Sequence, residues 1–153
     1  MVELEIEGIH LDAVSRSPIL LLRERDGHRC LPIWIGAPEA AAIALALDGP
    51  EPPRPLTHDL LSRVLLTTAE EPPELTITGM EDGVWYGRLD IGDLSFDARP
   101  SDLAALAVRL PVSLRCPAEL LDEVGVDPDA GPDDEVEQFR KFLDHVSPDD
   151  FEV

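Results

Sequence analysis

Cysteine is scarce in this 153-residue sequence, which contains only Cys30 and Cys116. Two isolated cysteines give no disulfide framework, and their spacing does not match a zinc-binding pattern. His28 and Cys30 would supply only two metal ligands, so we interpret them as ordinary strand residues. The simplest interpretation of this cysteine content is a reduced, cytoplasmic protein.

Long apolar runs are also missing. The most apolar stretch, LPIWIGAPEAAAIALAL at residues 31–47, contains a helix too short to cross a membrane, which requires about 20 apolar residues. The first residues, MVELEIEGIHL, alternate between apolar and acidic side chains, unlike a signal peptide. We therefore expect no membrane partner.

Basic residues are few, because 12 Lys and Arg face 32 Asp and Glu, for a formal net charge of −20. Such a charge argues against a general nucleic-acid binder. The charge is unevenly distributed: residues 1–116 hold 19 acids and 10 arginines, whereas residues 117–153 hold 13 acids against Arg140 and Lys141. The main body is only moderately acidic, and any binding of RNA or DNA is expected to be weak.

The stretch at residues 31–47 is the most informative part of the chain. It begins as an apolar strand that Gly36 interrupts. Pro38 and Glu39 then suit a first helical turn, where proline needs no amide partner and a carboxylate favours the positive end of the helix dipole. The helix Ala40–Leu47 has no polar face, which predicts that it is covered on all sides.

The chain as a whole contains two copies of one unit, which consists of three strands, a buried helix and a second helix. Asp26-Gly27 and Asp82-Gly83 indicate hairpin turns, and Gly8 indicates a bulge. The fold class is therefore predicted as α+β, internally duplicated, with buried helices layered between mostly antiparallel sheets. The predicted strands are Val2–Val14, Ile19–Arg25, Arg29–Ile35, Glu74–Met80, Val84–Ile91, Leu94–Ala98 and Val112–Cys116, and the predicted helices are Ala40–Leu47, Asp59–Thr68, Leu103–Leu110 and Pro117–Val124.

Composition divides the chain into a domain at residues 1–124, an acidic linker at 125–134 and an acidic tail at 135–153. The linker, GVDPDAGPDD, has no apolar periodicity. The tail carries five apolar residues at helical spacing, which favours a short amphipathic helix that docks on the domain or on a partner. A frayed acidic tail is the alternative. The five residues are Val136, Phe139, Phe142, Leu143 and Val146.

Three predicted helix starts carry the candidate chemistry: GAPE at 36–39, RPLTHD at 54–59 and RPSD at 99–102. Unpaired amides at a helix N-terminus attract phosphate, and arginine adds a bidentate fork. The acids would tolerate phosphate if a divalent cation, Mg²⁺ or Mn²⁺, lay between them. The candidate residues are Glu39, Asp59 and Asp102 for the metal, Arg54, Thr57, Arg99 and Ser101 for substrate, and His58, Asp59 and Asp102 for catalysis, with His58 as the proton carrier.

A purely structural interpretation explains the same residues. Thr57 and Ser101 are good N-caps, and each acid suits a first helical turn. Arg54 and Arg99 could simply pair with those acids. Residue types alone leave this alternative open.

Three strings in this order and spacing resemble the bifunctional nuclease (BFN) domain family: LPIWIGAPEAAAIALAL, RPLTHDLL and ARPSDLAALAVR. The resemblance covers about residues 2–124. It implies a duplicated α+β domain, often dimeric, and a nuclease acting on both DNA and RNA without base preference. By position, it implies the motif residues Glu39, Arg54, Thr57, His58, Asp59, Arg99, Ser101 and Asp102. The sequence departs from the family's usual pattern at Leu103-Ala104, where Ala-Ile is more typical, and this change is apolar for apolar.

The residue types and the resemblance together leave two functions. The first is a nuclease of low base specificity with a divalent metal. The second is a non-catalytic dimeric regulatory or protein-interaction domain, in which the motif residues cap helices. A nuclease requires the three helix starts to converge on one accessible patch, whereas a structural role allows them to form scattered local pairs.

Overall fold

The computed structural model describes residues 1–129, which form one mixed seven-stranded sheet and four α-helices. The α+β fold class is thereby confirmed. The strands are β1 (Val2–Leu11), β2 (Pro18–Glu24), β3 (Cys30–Trp34), β4 (Glu74–Glu81), β5 (Val84–Ile91), β6 (Leu94–Ala98) and β7 (Leu114–Cys116). The helices are α1 (Ala37–Asp48), α2 (Thr57–Thr68), α3 (Pro100–Ala107) and α4 (Ala118–Val124).

Two antiparallel groups of three strands share this sheet, whose strand order is β3-β2-β1-β7-β4-β5-β6. The short strand β7 lies between the groups, antiparallel to β1 and parallel to β4. Sequence analysis predicted helices between separate sheets. Because β7 joins the two groups edge to edge, the described chain has one sheet instead, with α1 packed on β1 and β2 and α3 packed on β4, β5 and β7. The internal duplication stays a prediction.

Matching irregularities occur in the first strand of each group. The register shifts between Ile6 and Gly8 in β1, and between Ile77 and Gly79 in β4. Gly8 has a backbone φ of 155°, which residues other than glycine rarely adopt. The bulge that Gly8 predicted is therefore confirmed.

Helix α3 is the central helix of the domain. Its residues Leu103, Ala104, Ala105 and Leu106 are fully buried or nearly so, as predicted. Gly87 in β5 allows this close packing, since a Cβ atom at that position would lie 2.5 Å from Leu103 Cδ1. The α3 face of the sheet therefore carries the core of the second strand group.

Helix α1 does not have the burial that its sequence predicted. Only Ala40 and Ile43 are buried, whereas Ala41, Ala44 and Leu47 are exposed. The prediction that Ala40–Leu47 is covered on all sides is wrong for the single described chain. The physical reason is that one sheet and α3 cover only part of α1, and no second sheet lies over its other side within residues 1–129.

The chain leaves α4 along the edge of the sheet. Val126 exchanges two backbone hydrogen bonds with Cys30, at 2.7 and 2.8 Å. The first residues of the predicted linker are therefore fixed to the start of β3. The predicted tail at residues 135–153 lies outside the described residues. None of the helices in residues 1–129 is long and apolar enough to cross a membrane.

Candidate active site

Three helix N-termini meet in one network of charged side chains. Arg99, the residue before α3, has its Nη2 atom 2.9 Å from Glu39 Oε1 in the first turn of α1. Its Nε atom donates to Asp102 Oδ2 at 2.8 Å. His58, at the start of α2, has its Nε2 atom 2.9 Å from Asp102 Oδ1. The structure thus brings together Glu39, His58, Arg99 and Asp102; we call these four residues the helix-start cluster.

The Arg-Pro pair sets the geometry of the cluster at α3. A residue before proline is kept out of the helical region, and Arg99 accordingly has extended dihedrals, φ −73° and ψ 141°. The helix begins at Pro100, which needs no amide partner there. Asp102 then lies in the first turn, three residues from Arg99, so the two side chains form an ion pair.

Opposing effects determine the charge of Asp102. Burial of the carboxyl group by itself raises the pKa of Asp102, but the hydrogen bonds from Arg99 and His58 outweigh it, so the pKa lies below its ordinary value. The same ion pair raises the pKa of Arg99, despite the partial burial of its guanidinium. Asp102 is therefore an ionised hydrogen-bond acceptor at neutral pH.

The ionised state of Asp102 fixes the tautomer of neutral His58. An ionised carboxylate only accepts hydrogen bonds. The His58 Nε2 atom therefore carries the proton and donates a hydrogen bond to Asp102 Oδ1. The Nδ1 atom is then left with a lone pair, which can accept a proton. The imidazole is mostly buried, with 16% of the side chain exposed. The pair has the geometry of an oriented general base.

Asp59 belongs to a different cluster. Its Oδ1 atom accepts from Arg109 Nε at 2.7 Å, and its Oδ2 atom accepts from the backbone amide of Leu56 at 2.9 Å. These two hydrogen bonds, that from Arg109 first, hold the pKa of Asp59 below its ordinary value of 3.8. Asp59 is thus the capping acid of α2. Sequence analysis predicted it as a metal ligand and catalytic residue beside Asp102, but its contacts are with Arg109 and Leu56.

Arg109 is the residue that sequence analysis missed. It also donates to the carbonyl oxygens of Ala105 and Ala42, at 2.7 and 2.9 Å, with only 8% of its side chain exposed. One guanidinium therefore ties α1, α2 and the end of α3 together. The available signal was a single arginine directly after the apolar run at residues 103–108.

The predicted hydroxyl caps are wrong for both Thr57 and Ser101. The residue before α2 is Leu56, and Thr57 is the first residue of the helix. The Asp59 carboxylate accepts a hydrogen bond from the Leu56 amide and caps the helix instead. Pro100 similarly places Ser101 inside α3, where it is buried. Arg54 is exposed and forms no ion pair with the described residues.

The described residues do not fit a metal site in this arrangement. No group of three or more His, Cys, Asp or Glu side chains within residues 1–129 is placed to hold a metal ion. The Arg99 guanidinium already bridges Glu39 and Asp102, and Arg109 neutralises Asp59. The Mg²⁺ or Mn²⁺ predicted at these three acids stays a prediction.

Comparison with known proteins covers this same region. The bifunctional nuclease domain model matches residues 20–129, which include all three helix starts. Uncharacterized protein Rv1829 of Mycobacterium tuberculosis strain H37Rv is 43% identical over 163 aligned residues, which cover 100% of this chain and 99% of the relative. Uncharacterized protein MT1877 of strain CDC 1551 matches with the same identity and coverage. The chain therefore belongs to the bifunctional nuclease domain family.

Proposed function

We propose that this protein is a nuclease that hydrolyses phosphodiester bonds in RNA and DNA with little base specificity. Family membership supports the reaction class. The observation that carries the proposal is the His58–Asp102 pair beside Arg99, because it joins an oriented base to an exposed cation. A positioned base can activate water, and a cation can stabilise the negative charge that develops on the phosphoryl oxygens.

Arg99 is the proposed phosphate-binding residue. Its side chain is 54% exposed although it pairs with Glu39 and Asp102. These pairs use the Nε and Nη2 atoms, and the Nη1 atom has no partner among the described residues. Two N–H groups thus remain to donate to phosphate oxygens. Such contacts go to the backbone of the nucleic acid, which is consistent with low base specificity.

His58 is the proposed general base. The Nδ1 atom accepts a proton from water as the water oxygen forms a bond to phosphorus and the bond to the leaving oxygen breaks. The leaving oxygen takes a proton from solvent, and the imidazolium then releases its proton to solvent. Asp102 stabilises the imidazolium that results, through the 2.9 Å hydrogen bond. Arg99 stabilises the negative charge that develops on the phosphoryl oxygens. Arg54, exposed just before α2, extends the phosphate contacts, whereas buried Ser101 offers little surface to a substrate.

The test is cleavage of unstructured RNA and single-stranded DNA by the wild type and by His58→Ala, Asp102→Asn and Arg99→Lys. Each substitution should reduce cleavage at least about 100-fold. A general base contributes about 10²–10⁴ in rate, and a donor that stabilises the developing charge contributes about 10²–10³. Arg88→Lys is the matched control, since Arg88 is an exposed arginine paired with Asp90 away from the cluster. Cleavage measured with added Mg²⁺ or Mn²⁺ and with EDTA tests the predicted metal. If a divalent metal is required, its removal by EDTA should abolish cleavage.

A non-catalytic regulatory or protein-interaction domain is the second proposal. It is favoured by the ion pairs of all three candidate acids, which satisfy these side chains without a substrate. The exposed apolar residues of α1 favour a homodimer, whose formation sedimentation velocity measures. Absence of cleavage by wild type, after contaminating nuclease is removed, would select this function. A cytoplasmic location is also proposed, and the two unpaired cysteines support it.

A further inference from the structure

Helix α2 exposes an apolar stripe on the side that faces away from α3. Its buried residues, Ser62 and Leu65, mark the opposite side of the helix. The exposed side chains lie at helical spacing and include large aliphatic groups, which a soluble surface rarely presents together. The α2 stripe consists of Leu56 (46% exposed), Leu60 (55%), Leu61 (38%) and Val64 (46%).

Positive charge borders the α2 stripe. Arg63 lies in the middle of α2, beside Val64, and is exposed. Arg54 lies just before the helix and is exposed as well. Neither arginine forms an ion pair with any described residue, although most other arginines in residues 1–129 do. An occupant of the stripe would therefore gain from carrying acids beside its apolar residues.

A second copy of α2 is poorly matched to this surface. A two-fold contact places the same patch of each subunit against its partner's. Because Arg63 lies near the middle of α2, a contact centred on the stripe would bring the two Arg63 side chains together. Like charges juxtaposed in this way oppose association.

The acidic tail has the complementary composition. Its apolar residues recur at helical spacing from Val136 to Val146, a span of about 15 Å in a helix, and α2 is about 18 Å long. Acids flank them at Glu135, Glu137 and Asp144. We propose that the segment 135–146 docks as an amphipathic helix on the α2 stripe of its own chain, with its acids beside Arg54 and Arg63.

The connection is long enough for this arrangement. Val126 is fixed to Cys30 at the start of β3. Residues 127–135 span up to about 30 Å when extended. Strand β3 covers only about 16 Å, and it leads directly to the start of α1. Glu39 at that start pairs with Arg99, and Asp102, the other partner of Arg99, contacts His58 at the start of α2. The tail therefore reaches α2 without any change in the described fold.

Disulfide trapping in the full-length chain tests the docking. Cys30 and Cys116 are completely buried, so introduced cysteines dominate the reaction under mild oxidation. The pair Leu60→Cys and Phe142→Cys should form an intramolecular disulfide at least ten times faster than the control pair Tyr86→Cys and Phe142→Cys. Tyr86 is 42% exposed, but it alternates with Gly87 and therefore lies on the sheet face away from α3.

Two results would overturn the proposal. Equal rates for the two cysteine pairs would mean that the tail does not prefer α2. The variant with Leu60→Cys alone can form covalent dimers. If these dimers form faster than the intramolecular disulfide of Leu60→Cys with Phe142→Cys, the stripe binds a second copy of the chain. The pair Val64→Cys and Phe139→Cys repeats the test at another point of the stripe, so that poor folding of one variant does not decide the outcome.

Discussion

The Asp102 carboxylate accepts a hydrogen bond from His58 Nε2 at 2.9 Å, although 44 positions separate the two residues in the sequence. Each residue lies in the first turn of its helix, so their contact holds the starts of α2 and α3 together. Arg99 extends the contact to Glu39 and α1. The candidate chemistry and the packing of three helices thus depend on one set of side chains.

The first prediction concerns the tautomer of His58. In Asp102→Asn, the amide group can donate to Nε2, which moves the imidazole proton to Nδ1 and removes the base. We expect kcat to fall at least about 100-fold. The KM should change little, because Arg99 and Arg54 still contact phosphate. Steady-state kinetics on a short RNA measures both constants, and a large rise in KM at unchanged kcat would contradict a role in orienting the base.

The second prediction concerns stability at Arg109. Arg109→Met should reduce the free energy of unfolding by about 3 kcal/mol, because Asp59 and the carbonyl oxygen of Ala42 lose their partner. Arg115→Met is the control, since Arg115 pairs with exposed Glu74 and should cost less than about 1 kcal/mol. Urea unfolding measures both. Equal losses in the two variants would mean that the buried arginine does not join the helices.

The third prediction is acid destabilisation through Asp59 and Asp102. The pKa of each carboxyl is lower in the folded state than its ordinary value of 3.8. The unfolded chain therefore binds protons at higher pH than the folded chain, and stability falls as the pH drops from about 5 through the folded pKa values. Asp59→Asn should show a smaller loss of unfolding free energy between about pH 5 and pH 3 than the wild type. An unchanged pH dependence would refute the assignment to Asp59.

The fourth prediction follows from tail docking together with the nuclease proposal. If the acidic tail lies beside Arg54, it competes electrostatically with nucleic acid for that surface. Full-length Phe139→Ser with Phe142→Ser should bind unstructured RNA more tightly at low salt than the wild type. The control is Phe151→Ser, outside the docking segment. Fluorescence anisotropy measures the affinity, and weaker binding by the double variant would contradict competition.

Local patterns predicted much of the fold. Strands Val84–Ile91 and Leu94–Ala98 have their predicted bounds, because alternating side chains and the Asp82-Gly83 turn are local signals. The joining of the two strand groups was not predictable in this way, since β7 contributes only three residues and its partners are distant in sequence. The exposure of α1 was missed because alanine is compatible with either a buried or an open helix side.

Local sequence also predicted part of the candidate site, whereas the rest depends on tertiary packing. A nuclease required the motif residues at the helix starts to meet, and Glu39, His58, Arg99 and Asp102 do so. Asp59 could not be separated from Asp102 by residue type, because both follow an Arg-Pro pair. Its partner, Arg109, comes from the far end of α3, and only tertiary packing brings it to α2.

Cleavage by His58→Ala with and without added imidazole measures whether His58 acts as the general base. We predict that purified wild type cleaves unstructured RNA and that His58→Ala loses at least about 100-fold in rate. Free imidazole should restore part of the loss by supplying the missing base. A merely structural histidine would not respond to imidazole. Undiminished cleavage by His58→Ala, or no cleavage by the wild type, would mean that His58 is not the general base of a nuclease.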